Sequence, residues 1–186
     1  MKKQILIPTI ALFVICLVAT TLLAFANNVT APIIEKNAAQ TEAESRMEVL
    51  ADAKTFEDKT VNGKSYAVGL DENGNEIGMI FVTSAKSYGG DVSVMTGVNM
   101  EGKVTKIQIL SISDTAGLGM KAQDDSFKDQ FKSLVQGIKV AKNTANSENN
   151  EILALTGATI TSNAVTEAVN EALDSFNTIT QNGGAN

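Results

Sequence analysis

A long uncharged stretch near the N-terminus constrains this chain more than any other feature of its sequence. Residues 5–26 contain no charged side chain and consist mostly of Leu, Ile, Val, Phe and Ala. As a helix, these 22 residues would span about 33 Å, which matches the hydrocarbon core of a bilayer. The stretch predicts one transmembrane helix, followed by a region that must fold outside the membrane.

The charges beside this stretch predict its orientation. Lys2 and Lys3 precede it, and the next basic residue is Lys36. By the positive-inside rule, the N-terminus lies in the cytoplasm and the rest of the chain lies on the other side of the cell membrane. A cleaved signal peptide is the alternative, because residues 24–26 read AFA, but the stretch is longer than the usual signal core of about 7–15 residues. We therefore expect an uncleaved, single-pass anchor.

The residue counts exclude several kinds of chemistry. The chain has no histidine and one cysteine, Cys16, which lies inside the apolar stretch. Histidine-based catalytic triads, histidine-bearing zinc sites and self-contained iron–sulfur clusters are therefore excluded. The region after residue 26 carries 13 basic and 21 acidic side chains without a basic cluster, which argues against nucleic-acid binding. Redox chemistry in this chain would need an organic cofactor.

The chain is predicted to have three parts. Residues 1–26 form a cytoplasmic tip and the transmembrane anchor, residues 27–55 form a stalk helix, and residues 56–186 form a folded domain. The stalk helix is predicted to start at Thr30-Ala31-Pro32, because proline is tolerated in a first helical turn, and to end near Leu50. The last six residues, 181–186, are predicted to be a frayed tail.

The domain is predicted to be α+β, an antiparallel, half-barrel-like sheet packed with helices. Alternating or apolar runs joined by tight turns predict hairpins over residues 66–68, 77–82, 92–96 and 104–112. A helix is predicted over residues 124–138, with an apolar face made of Phe127, Phe131, Leu134, Val135 and Ile138. A last helix is predicted to start near Ser162 and to bury Val165, Ala168, Val169, Ala172, Leu173 and Phe176.

Two short segments are candidate sites. Residues 117–122 read GLGMKA and fit a dinucleotide-binding pattern, but no acidic residue follows at the required distance and the preceding strands look like hairpins. We therefore interpret this segment as a glycine turn between a strand and a helix. Residues 156–162 read TGATITS, just before the last helix. Either Thr161 or Ser162 caps that helix, or the free amides at its N-terminus bind a phosphate group.

Several motifs together resemble a known family. TGATITS resembles the [S/T]-G-A-T-x-[S/T] motif of the covalent FMN-binding domain family, which includes the NqrC and RnfG subunits of ion-translocating respiratory complexes. DTAGLG (residues 114–119) is similar to its E-T-P-G-L-G loop, and SYGG (residues 87–90) is similar to the start of its G-Y-x-G … G-V … G-K-V run. FKDQF (residues 127–131) resembles its F-x-x-Q-F helix, and VTAPI (residues 29–33) resembles the start of RnfG subunits.

This resemblance implies that Thr159 carries FMN through a phosphoester bond. The other residues that it implies around the cofactor are Thr156, Gly157, Ala158, Thr161, Thr115, Gly117, Leu118, Gly119 and, as a weaker candidate that would stabilise a reduced flavin, Lys121. It implies a flavin transferase that attaches the FMN, and no catalytic or metal-binding residue in the chain itself.

The implied role is that of an RnfG-like electron-transfer subunit of a membrane ferredoxin:NAD⁺ oxidoreductase complex that moves Na⁺ or H⁺. Neighbouring subunits would hold the iron–sulfur clusters and the NAD site. The sequence departs from the family pattern in having Asp114 for Glu, Ala116 for Pro and Leu153 for a frequent Asp. The domain could also be an NqrC-like subunit, a free-standing extracytoplasmic electron carrier, or a flavin-free module that binds a partner through its sheet.

Overall fold

A computed structural model of the chain describes residues 2–61 and 63–183. It divides into two compact units, residues 1–41 and residues 42–186. Helix α1 (Lys2–Val49) makes up the first unit as far as Thr41, and its last turns belong to the second unit. In the predicted tail, Gln181 is still helical, and residues 184–186 lie outside the described residues.

The predicted start of a separate stalk helix at Thr30 is wrong, because α1 continues through Pro32. The Thr30 hydroxyl donates a hydrogen bond to Ala26 O at 2.9 Å, one turn earlier, and so does not cap a new helix. A proline inside a helix removes one backbone hydrogen bond. The residues that follow, 36–48, are rich in Ala and Glu, which favour the helical conformation.

Within the first unit, α1 has an apolar and exposed surface. The segment Leu6–Val49 is long and apolar enough to cross a membrane, and it is the one such helix among the described residues. In its most apolar part no side chain is buried, whereas the core helix of a soluble protein would be mostly buried.

The second unit is built on a five-stranded sheet in which each strand pairs antiparallel with the next. The strands are β1 (Thr55–Val61), β2 (Lys64–Leu70), β3 (Glu76–Lys86), β4 (Asp91–Asn99) and β5 (Val104–Ser111). This pairing confirms the predicted hairpins. The sequence does not predict β1, because a polar strand at the edge of a sheet lacks the apolar alternation that marks the inner strands.

Helix α3 (Thr159–Gly183) covers one face of the sheet and confirms the predicted apolar face. The six side chains predicted to face inward are all buried. The Thr83 hydroxyl of β3 donates to Ala168 O at 2.8 Å, which ties the helix to the sheet. The helix begins at Thr159, three residues before the predicted start at Ser162. The architecture is thus the α+β class predicted from the sequence.

The other face of the sheet is covered by the end of α1. Val49 and Leu50 are buried there in a second hydrophobic cluster. Gly97 of β4 allows this approach, because a Cβ there would collide with Val49 O and lie 2.5 Å from the Thr105 hydroxyl oxygen. That hydroxyl donates to Val49 O at 2.5 Å. The last turns of α1 are therefore part of the domain core.

The predicted helix over residues 124–138 is wrong beyond its first turns. Helix α2 (Asp125–Lys128) and a 3₁₀ turn (Asp129–Phe131) end shortly before Ser133, whose φ of 67° is left-handed. Ser133 N–H donates to Val104 O at 2.8 Å, and Val104 N–H donates to Leu134 O at 2.9 Å. The segment leaves the helix because it pairs with the edge strand β5.

Because the helix ends early, one of the five side chains predicted to be buried is exposed. Four of the five predicted side chains are buried, namely Phe127, Phe131, Leu134 and Ile138. Val135 is 43% exposed instead. Beyond this segment, β6 (Lys139–Ala141) and β7 (Glu151–Leu153) form a short parallel pair that leads the chain to α3.

Candidate functional site

The two glycine-containing segments singled out in the sequence meet at one cleft. It has a volume of about 480 Å³. Its walls are formed by Tyr88, Asp114, Thr115, Leu118, Gly119, Gly157, Ala158, Thr159, Ile160 and Thr161. Of the residues predicted for the site, Thr156, Gly117 and Lys121 do not line the cleft. Lys121 is exposed on the 3₁₀ helix Gly119–Gln123.

Thr159 occupies the first position of α3. Its side chain is half-buried in the cleft wall, and its hydroxyl has no hydrogen-bond partner among the described residues. The first backbone bond of the helix runs from Ser162 N–H to Ala158 O at 3.0 Å. The amides of Thr159, Ile160 and Thr161 precede that bond and so lack partners within the helix. This end of a helix favours an anionic group such as a phosphate.

The predicted capping role of Thr161 or Ser162 is wrong, because both lie inside the helix. The Ser162 hydroxyl accepts a hydrogen bond from Leu155 N–H at 2.9 Å and donates to Ala158 O at 3.0 Å. It therefore holds the chain that leads into the helix. Thr161 turns the other way and bonds to Asp114, which leaves the amides of the first turn uncapped by either side chain.

Glycine at position 119 lets the two segments touch. A Cβ on Gly119 would lie 2.6 Å from the Thr161 hydroxyl oxygen and 2.6 Å from Asp114 Cβ. Gly157 has a left-handed φ of 77°, and a Cβ there would lie 3.2 Å from Leu118 Cδ2. The backbone of the loop around Gly119 therefore packs directly against the first turn of α3. This close approach lets main-chain atoms form part of the cleft wall.

Asp114 joins three segments at the back of the cleft. Its Oδ2 accepts hydrogen bonds from the hydroxyls of Ser87 at 2.5 Å and Thr161 at 2.6 Å, and its Oδ1 accepts one from Gly89 N–H at 2.6 Å. The side chain is buried. The sequence alone does not show this role, although Asp114 lies in the DTAGLG motif. The sequence does contain a relevant signal, because Asp114, Ser87 and Thr161 all lie in motifs that resemble those of the family, and a carboxylate can accept hydrogen bonds from hydroxyl groups.

The hydrogen bonds set the ionisation of Asp114. Burial opposes the charge on its carboxyl, but the bonds from Ser87, Thr161 and Gly89 outweigh burial and hold the pKa below its ordinary value. A carboxyl with a depressed folded pKa stabilises the fold above the unfolded pKa of about 3.9, and loses that contribution as pH falls through the folded value. Asp114 is therefore an ionised anchor of the site at neutral pH.

We expect Asp114→Asn to lower the free energy of unfolding by about 1–3 kcal/mol at neutral pH. An amide offers one acceptor oxygen where the carboxylate offers two, so at least one buried donor loses its partner. The difference from the unmodified chain should shrink in acid, because Asp114 is then protonated. Denaturation of both proteins across this pH range measures it.

The matched control is Asp91→Asn, which removes an exposed carboxylate at the start of β4. This variant should have little effect on stability at any pH. A stability loss in Asp114→Asn that stays constant from neutral to acid pH would contradict an ionised Asp114 in the fold.

The cleft meets the requirements of a phosphate-bearing, planar ligand. One part of its wall offers the amides of the first turn of α3 and the Thr159 hydroxyl. Another part offers apolar side chains, since Tyr88, Leu118 and Ile160 are 73%, 44% and 56% exposed. Its volume falls in the range of about 300–1,000 Å³ that is usual for ligand pockets. The residues present therefore fit FMN.

Comparison with known proteins places the chain in a family. Residues 87–174 match the FMN-binding domain, and residues 1–49 match the RnfG N-terminal region. The G subunit of the Na⁺-translocating ferredoxin:NAD⁺ oxidoreductase complex of Acetobacterium woodii is 37% identical to the chain, across 91% of the chain and 90% of that relative. The chain belongs to the RnfG family. The corresponding G subunit of the proton-translocating complex of Clostridium ljungdahlii is 32% identical, across 96% of the chain and 95% of that relative.

Solved structures agree with this fold. The crystal structure of NqrC from Shewanella oneidensis matches with a TM-score of 0.51 at 12% sequence identity, across 64% of the chain and 65% of NqrC. The similarity at this low identity concerns the fold alone. It supports the α+β architecture that carries the cleft.

Proposed function

We propose that this chain is an FMN-binding electron-transfer subunit of a ferredoxin:NAD⁺ oxidoreductase complex, and that Thr159 holds the FMN covalently. The observation that carries the proposal is the Thr159 hydroxyl, which lacks a hydrogen-bond partner among the described residues and lies in the first turn of α3, in the cleft wall. Membership of the RnfG family and the matching FMN-binding domain support the choice of cofactor.

The chain's own residues would hold the cofactor at two points. The phosphate would lie at the amides of Thr159, Ile160 and Thr161, where the end of the helix stabilises negative charge. The Thr159 oxygen would form a phosphoester with the phosphate, so that the chain gains the mass of one FMN less one water. A flavin transferase would catalyse this attachment by moving the FMN group from a flavin donor, whose other part leaves. Thr159 is then a tether, and the exposed Thr156 and Gly157 leave its approach open to the transferase.

The apolar part of the cleft would contact the ring system of the FMN. Leu118 and Ile160 would exclude water from one region of the ring, and the Thr115 and Gly117 loop would lie beside it. When bound, FMN supplies the electron-transfer chemistry that a chain without histidine and with one cysteine lacks. Lys121 lies outside the cleft wall, so it would act on the flavin only through its charge.

The first unit would anchor the protein in the membrane. Residues 5–26 would span the bilayer with Lys2 and Lys3 in the cytoplasm, and the following turns of α1, up to residue 41, would form the stalk. The predicted boundary between residues 55 and 56 moves to residue 42, because the end of α1 is buried in the core of the FMN-binding domain, which would lie outside the cytoplasm. No ionisable side chain lies between residues 5 and 26 other than Cys16, so this helix alone offers no path for an ion. The two relatives are named for different ions, which fits a coupling ion chosen by other subunits.

Purification of the chain from native membranes in mild detergent tests the proposal. We expect the denatured chain to fluoresce as a flavoprotein and to co-purify, before denaturation, with other subunits of a membrane oxidoreductase. A strain without the flavin transferase is the control, and its chain should not fluoresce. A fluorescent chain recovered without partner subunits would indicate a free-standing electron carrier, and a dark chain would overturn the flavin proposal.

A further inference from the structure

Tyr88 is an exposed aromatic side chain in the wall of the cleft. It lies in the loop between β3 and β4 and is 73% exposed, although it forms part of the cleft wall that contains Thr159. It is the one aromatic residue among the lining residues of the cleft. The other tyrosine of the chain, Tyr66, is buried and stacks on Phe81 with ring centroids 5.8 Å apart.

The loop that carries Tyr88 is held on both sides. The residues before and after it, Ser87 and Gly89, both donate hydrogen bonds to the buried carboxylate of Asp114. Ser87 N–H also donates to Gly90 O at 2.8 Å, which closes the turn. Gly89 packs so tightly on Ser113 that a Cβ would collide with the Ser113 carbonyl oxygen. The exposed ring is thus mounted on a fixed support and not on a loose loop.

The same carboxylate also bonds to Thr161 in the first turn of α3. Asp114 therefore fixes the Tyr88 loop and the Thr159 turn relative to each other. A ligand attached at Thr159 meets Tyr88, Leu118 and Ile160 in one cleft. Flat aromatic groups favour stacked or edge contacts with an aromatic side chain over contact with water.

We propose that the Tyr88 ring packs against the isoalloxazine ring of the FMN attached at Thr159 and covers it from water. The proposal rests on the proposed function. In this position the phenol of Tyr88 can donate one electron to the light-excited flavin and take it back, which quenches flavin fluorescence without net reaction. Tyr88 is then a cofactor contact and not a structural residue.

The composition of the chain makes this contact measurable. The chain has two tyrosines and no tryptophan, so Tyr88 and Tyr66 are the two aromatic side chains that can quench a flavin by donating an electron. Tyr88→Phe keeps a ring and removes the electron donor, and Tyr88→Leu removes both. Tyr66→Phe is the matched control, because it removes the other phenol and leaves a ring of similar size in the core.

The test uses the full-length, flavin-loaded chain in detergent, with flavin emission measured per flavin released on denaturation. We expect Tyr88→Phe and Tyr88→Leu to raise the emission several-fold, and Tyr66→Phe to leave it unchanged. Iodide should quench the flavin of Tyr88→Leu more strongly than that of Tyr88→Phe, because only the leucine variant uncovers the ring. The exposure of Tyr88 makes these variants tolerable for the fold.

Unchanged emission in both Tyr88 variants would overturn the contact while leaving the proposed function standing. An increase in Tyr66→Phe in their place would also overturn it, by assigning the quenching to Tyr66. A flavin-free parent chain, prepared with the transferase present, would overturn the proposed function and this contact with it.

Discussion

Thr159→Val is expected to abolish covalent flavin while leaving the fold intact. Valine has nearly the shape of threonine, and both are β-branched, so the first turn of α3 keeps its packing. The lost hydroxyl has no hydrogen-bond partner among the described residues, so its removal leaves no buried donor or acceptor unpaired. Intact mass of the chain, made with the transferase present, should lack the added mass of one FMN less one water.

The control for this variant is Thr178→Val. Thr178 lies on the same helix in a more exposed position, where its hydroxyl donates to Asp174 O at 2.8 Å. This chain should carry one FMN, like the parent chain. If Thr159→Val still gains the mass of FMN, the attachment lies elsewhere. Thr115 would then be the next candidate, because it also lines the cleft, whereas the Thr161 hydroxyl is engaged with Asp114 and Thr156 lies outside the cleft wall.

Phe131→Ala is expected to lower the free energy of unfolding more than Asp114→Asn or Val135→Ala. Phe131 is fully buried, and its ring meets the ring of Phe127 edge to face with centroids 5.6 Å apart. Truncation of a buried phenylalanine removes apolar contacts and leaves a cavity, which costs about 3–5 kcal/mol. This is a large share of the total stability of about 5–15 kcal/mol that is usual for a domain. Chemical denaturation of the full chain in detergent measures it.

Val135→Ala is the matched control for the core variant. The sequence predicts Val135 on the same buried helical face as Phe131, but the structure leaves it 43% exposed after the chain leaves the helix. Its truncation should change the free energy of unfolding by less than about 0.5 kcal/mol. A loss comparable with that of Phe131→Ala would instead support the longer helix over residues 124–138.

Local sequence patterns predict the strands and the helix that bury one side against the core and expose the other side. The hairpins follow from alternating runs and turn residues, and α3 follows from an apolar repeat at helical spacing that includes Val165 and Leu173. The segment after Phe131 has a similar repeat, yet it pairs with Val104 at the edge of β5. A local sequence pattern cannot show that the edge of a strand elsewhere in the chain offers backbone hydrogen bonds. The helix predicted from the pattern is therefore longer than the helix in the structure.

The candidate site divides in the same way. The two loops around Gly119 and Thr159 are visible in the sequence, because each is a short motif with its residues in a row. The hydrogen bonds to Asp114 are not visible in the sequence, since the partner residues Ser87 and Thr161 lie 27 and 47 positions away along the chain. Hydrogen bonds between such distant residues depend on where the sheet and α3 bring the backbone.

The sequence by itself determined the long apolar helix, the antiparallel hairpins, the buried face of α3 and the family whose motifs the chain carries. These depend on residue type and spacing over short distances, where backbone geometry is known in advance. Only the tertiary structure decided that α1 ends inside the domain core, that Asp114 holds three segments together, and that Tyr88 lines the cleft with Thr159. Those contacts arise because the end of β5, the β3–β4 turn and the start of α3 meet in space.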